Sequence, residues 1–98
     1  MSNLDVEIYD LIDLLSFTLG KEFLEKWRFK YGDRMIKLFQ LKIINSLRKS
    51  KNIKLKSIFR YLHKDSGFSE EIAENFLIDI DFAIYSPIIV GSLKELRA

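Results

Sequence analysis

The chain has no cysteine, so disulfide staples, thiolate nucleophiles and cysteine-ligated zinc are excluded. Its single histidine, His63, leaves any zinc site short of the three or four ligands it would need, so no metal is expected. One proline and four glycines in 98 residues leave little to interrupt regular structure. Gly20, Gly32, Gly67 and Gly91 stand apart and match neither glycine-rich phosphate-loop spacing. No run of about 18 uncharged apolar residues exists to span a bilayer. The start, Met1-Ser2-Asn3-Leu4-Asp5, is acidic where a secretory signal is basic, so a cytoplasmic protein without membrane contact is expected. What is present is 48% hydrophobic and 13% aromatic, too apolar for a disordered chain. A chain of this size buries roughly 60 to 70% of its unfolded surface around one core, which predicts a single domain over residues 1–98.

The net charge of +2 conceals a strong polarity along the chain. Residues 1–20 hold four acids and no base, a net −4. Residues 21–64 hold fourteen bases against Glu22, Glu25 and Asp33, a net +11. Residues 65–98 hold seven acids against Lys94 and Arg97, a net −5.

Apolar residues recur at helical spacing, predicting an all-α bundle of about five helices, over about 3–19, 21–31, 34–49, 53–64 and 70–85, with a short C-terminal helix opened by Ser92-Leu93-Lys94-Glu95. In the first, Leu4, Ile8, Leu11, Ile12, Leu15 and Leu19 make one stripe, and Gly20 sits where a C-terminal cap is expected. In the second, Phe23, Leu24, Trp27 and Tyr31 point inward; Gly32 breaks it and Asp33 is placed to cap the third. In the third, Ile36, Phe39, Ile43 and Leu47 form one face and Arg34, Lys37, Lys42, Asn45, Arg48 and Lys49 the other. Leu38 and Leu41 project among those bases, so this helix is either central in its own fold or keeps a second side for a partner. The fourth turns Leu55, Ile58, Phe59 and Leu62 inward and carries Lys56, Arg60 and Lys64 as a ridge at i, i+4 and i+8. Ser69 caps the fifth, whose core side is Ile72, Phe76, Leu77, Ile80 and Ala83. Ile88-Ile89-Val90 is compatible with a short extended segment.

The catalytic inventory is poor. His63 matches no recognisable serine or carboxylate relay in the sequence. Asp79 and Asp81, two apart on a helix, fall on different faces and make poor partners for acid-base work. Glu70, Glu71 and Glu74 suit the positive end of a helix dipole. No enzyme activity, cofactor or small-molecule substrate is expected.

The basic middle carries the functional expectation. Lys26-Trp27-Arg28-Phe29-Lys30-Tyr31 interleaves bases with rings, and bases continue from Arg34 to Lys64. Such charge binds phosphate backbones, and rings can stack on unpaired bases. Trp27 and Tyr31, and with them Phe29, are expected in the core instead. The self-repelling +11 must be offset by the acidic ends of the chain, by nucleic acid, or by an acidic protein. The fourth and fifth helices suggest helix-turn-helix, but Glu70, Glu71, Glu74, Asp79 and Asp81 on the would-be recognition helix would repel phosphates. Contact is therefore expected from Lys37, Lys42, Arg48, Lys49, Lys56, Arg60 and Lys64. The reading is a small accessory subunit of a replication, transcription or repair assembly. The alternative is an adaptor or inhibitor docking an acidic, partly apolar protein surface through the same bases with Leu38 and Leu41.

Gly67-Phe68-Ser69-Glu70-Glu71, followed by Asp81-Phe82-Ala83-Ile84-Tyr85-Ser86-Pro87, resembles the helical cytoplasmic tail of BatD-type oxygen-tolerance membrane proteins, where a Gly-x-x-Glu-Glu turn opens a helix closing on Ala-x-Tyr-x-Pro. The similarity covers about the last third of the chain. This sequence has no counterpart of that family's signal peptide, β-rich ectodomain or transmembrane helix. The resemblance implies a helical interaction module in which Tyr85 and Pro87 are structural positions, and it assigns no catalytic residue.

Overall fold

A computed structural model describes residues 5–16 and 18–84. Its order is β1 (Asp5–Glu7), α1 (Ile8–Ser16), α2 (Thr18–Tyr31), α3 (Asp33–Leu47), β2 (Asn52–Lys54), α4 (Leu55–Arg60), a π-helical turn over Tyr61–Asp65 that continues α4, and α5 (Glu70–Ile84). The architecture is an all-α bundle of five helices with one two-stranded clip. The expected C-terminal helix, Ile88-Ile89-Val90, Tyr85 and Pro87 lie outside the described residues.

The clip corrects the first and fourth helix starts. β1 pairs antiparallel with β2, setting Asp5 opposite Lys54, Val6 opposite Ile53 and Glu7 opposite Asn52. Only Val6 and Ile53 are buried, the alternation of a strand with one face on the core. The Ile8 amide donates to the Lys51 carbonyl at 2.8 Å, tying the start of α1 to the entrance of β2.

Gly20 is not a C-terminal cap: it lies buried inside α2, and a Cβ there would overlap the backbone of Leu14. Its lack of a side chain lets α2 fold back closely against α1. Asp33 is likewise not a cap. It is the first residue of α3, behind Gly32 at φ +94°, and its carboxylate pairs with Arg28 Nε at 3.0 Å. Ser69 does cap α5, its Oγ accepting from the Ile72 amide at 3.2 Å, and Glu70 and Glu71 occupy the first turn where the dipole favours acids.

The core is organised around Phe76 of α5. Its ring meets Trp27, Tyr31 and Phe39 edge to face at centroid separations of 5.5, 5.2 and 5.2 Å. Each such pair contributes about 0.5–1.5 kcal/mol beyond burial of its area. Ile8, Leu11 and Leu14 of α1, Met35, Ile36 and Ile43 of α3, and Ile58 and Leu62 of the fourth helix complete the interior. Among the described residues, three expected core residues lie outside it. Phe29 is 96% exposed, because it stands two residues, roughly 200°, from buried Trp27. Leu47 ends α3 at the rim, and Ile72 yields its place to Ala73.

Candidate nucleic-acid interface

The basic middle divides at the start of α3. In its first part three of the five bases, Arg28, Lys30 and Arg34, are already partnered. Arg28 bonds Glu25 at 2.6 Å and Asp33 at 3.0 Å. Lys30 reaches across to Asp79 of α5 at 3.0 Å, and the Tyr31 hydroxyl donates to the same carboxylate at 2.5 Å. Burial first, and then that hydrogen bond, push the Tyr31 phenol up to about 12; the bond to Asp79 is the main reason the Lys30 ammonium is also raised. Arg34 donates to the Ser66 carbonyl and lies over the Phe68 ring at 4.7 Å, bracing the turn whose Gly67 has φ +81°. His63 serves the same turn: its Nδ1 donates to the Phe68 carbonyl at 2.8 Å, and its ring packs on Phe59.

From Lys37 to Lys64 there are nine bases and no acid. None of the seven expected contact residues forms an ion pair among the described residues. The structure does not gather them on one face. At roughly 100° per residue, Lys37 and Arg48 share the outermost stripe of α3 with Leu41 and Ile44, while Lys42 and Lys49 turn toward β2 and α4. Leu38 is half-buried against the core, so of the two leucines expected to meet a partner, Leu41 is the one that stands out, at 50% exposure.

Lys42 and Lys49 line an open groove of about 410 Å³ with Lys54, Ser46, Ser50, Asn52, Ile53, Ser57 and one acid, Asp5. Each element supplies its share for a local reason. Lys42, Ser46 and Lys49 succeed one another on one side of α3 and its end. Strand alternation buries Ile53 and turns Asn52 and Lys54 outward, and Ser57 sits on the exposed side of α4. Ser50 Oγ accepts from the Asn52 amide at 3.2 Å, shaping the connection. Lys42 is steadied over the Tyr61 ring, 5.5 Å from its centroid. Three ammonium groups among hydroxyls and an amide form a donor-rich trough suited to anionic oxygens.

Beside it, Lys56, Arg60 and Lys64 form the expected ridge, all three exposed, and with Phe59 they line a second hollow of about 120 Å³. Lys54, Ser46, Ser50, Asn52 and Ser57 escape the sequence reading. Lys54 had a signal only for a reader who placed Asn52–Lys54 in a strand. Among the described residues no helix is long and apolar enough to cross a membrane. No known protein family, curated protein or solved structure matches the chain.

Proposed function

We propose that this protein is a non-enzymatic accessory component of a nucleic-acid-handling assembly, holding phosphate backbone along the groove and ridge. The supporting observation is the run of nine bases without an acid, six of which (Lys42, Lys49, Lys54, Lys56, Arg60 and Lys64) border two hollows. Phosphate oxygens would take the ammonium and hydroxyl donors, and half-buried Phe59 offers an edge for an unpaired base. Such contacts position a strand and read no sequence. The acids of α5 keep that helix away from the backbone, so the strand runs over α3 and α4.

A fluorescence polarisation titration with generic duplex and single strands at about 50 mM salt tests the reading. Six engaged cations predict a salt slope of about −5 in log K against log salt. Absence of binding at that ionic strength would overturn it.

A further inference from the structure

Two exposed helix faces of this chain are complementary to each other. On α3, Lys37, Leu41 and Ile44, with Arg48 just past the helix end, follow at intervals of four, three and four, the seam spacing of packed helices. Leu41 and Ile44 are 50% and 51% exposed, and a base stands at each end. On α5, Glu71, Glu74, Ile78 and Phe82 follow at three, four and four, with Ile78 and Phe82 59% and 69% exposed. Beside Phe82 a cleft of about 250 Å³ opens between α2 and α5, lined by Phe23, Lys26, Trp27, Lys30, Asp79 and Phe82.

We infer that the chain self-associates, the outer face of α3 in one copy docking on the outer face of α5 in another. In either direction one apolar pair and one pair of opposite charges align. Parallel, Lys37 falls opposite Glu74 when Leu41 is opposite Ile78; antiparallel, Arg48 falls opposite Glu74 when Ile44 is opposite Ile78. The aliphatic side chains of α3 supply knobs and the cleft beside Phe82 receives them. An acidic, partly apolar surface is what the α3 stripe fits, and α5 presents one on every copy. Because the two faces differ, the contact is heterologous. The groove takes no part in it: none of these eight residues lines that hollow.

The test is sedimentation velocity on nuclease-treated protein from about 1 µM to 1 mM, the dissociation-constant range of weak contacts. Wild type should rise above monomer mass with concentration. Leu41→Glu with Ile44→Glu breaks the α3 face, and Ile78→Lys with Phe82→Lys breaks the α5 face; all four sites are exposed, and circular dichroism checks the fold. Each double variant alone should stay monomeric. Mixed, the two should form a one-to-one dimer, since each keeps the face the other lost. A monomeric wild type, association by either variant alone, or a mixture that stays monomeric would each overturn the inference. Lys42→Gln, Lys49→Gln and Lys54→Gln together should leave association unchanged, which separates this result from the fate of the nucleic-acid reading; loss of association in that variant counts against the assigned faces.

Discussion

Residues 21–34 and 37–64 look alike as basic sequence and meet opposite fates in the fold. The first segment has five bases and three acids, the second nine bases and none. Arg28, Lys30 and Arg34 are spent inside the molecule, on Glu25 and Asp33, on Asp79, and on the Ser66 carbonyl. Lys42, Lys49 and Lys54 instead surround an open groove. The groove's three cations share its lining with one acid, Asp5, and form no ion pair among the described residues, whereas Arg28 and Lys30 each hold a carboxylate within 3.0 Å. For Lys30 the difference follows from α5, whose Asp79 rides the same helix as Phe76 and meets Lys30 and Tyr31 where that ring seats.

The strongest way to break the contrast is to unseat that ring. Phe76→Ala removes three edge-to-face contacts and leaves a cavity, and should lower unfolding free energy by about 4 kcal/mol in urea titration. A loss under about 1 kcal/mol would mean that Phe76 does not hold the first segment to α5. Gly20→Ala comes next, at about 3 kcal/mol, because the added methyl meets Leu14 backbone and a helix has to shift. Gly32→Ala should cost only about 1 kcal/mol, through its left-handed φ, since the space around it is open.

Helical periodicity made most of the bundle legible, and its failures have identifiable causes. Ile53 stands two residues, roughly 200°, from Leu55 and so off the inward stripe of α4, but a single step of two does not mark a strand; its strand state depends on Val6, far away in sequence. Three-residue strands with one buried residue each are too short to show alternation. Gly20 stands where a cap is expected, and only the approach of Leu14 shows that the glycine serves packing. Of the site, the α4 ridge was readable because i, i+4 spacing fixes a face. The groove was not, because it joins a helix end, a strand and a second helix that only the fold brings together.

The charge contrast is sharpened by matched neutralisations. Lys42→Gln, Lys49→Gln and Lys54→Gln together should weaken generic nucleic-acid binding by about tenfold or more and move the salt slope from about −5 to about −3. Arg28→Gln, which removes a base already paired twice, should leave both unchanged. Equal losses from the two changes would erase the distinction between the segments, with retained far-ultraviolet dichroism showing that neither has unfolded.

The smallest effect tests the clasp that neutralises the first segment. Both raised groups there are protonated in the fold: the Tyr31 phenol, pushed from 10.0 to about 12, and the Lys30 ammonium. The folded state therefore holds protons that the unfolded chain releases first. Their contribution is fully present below pH 10, where an unfolded tyrosine is neutral, and is lost as pH rises toward about 12. Tyr31→Phe removes the hydroxyl that Asp79 accepts, and should lower stability by about 1 kcal/mol at neutral pH. Measured by urea melts, the gap between wild type and variant should narrow across the alkaline window, because the wild type surrenders there what the variant never had. A gap that holds constant from neutral pH to about 12 would show that the hydroxyl is not engaged by Asp79. Asp79 would then be left to Lys30 alone, at an exposed ammonium where a single ion pair adds little, and α5 would be joined to the first segment by the rings around Phe76 rather than by charge.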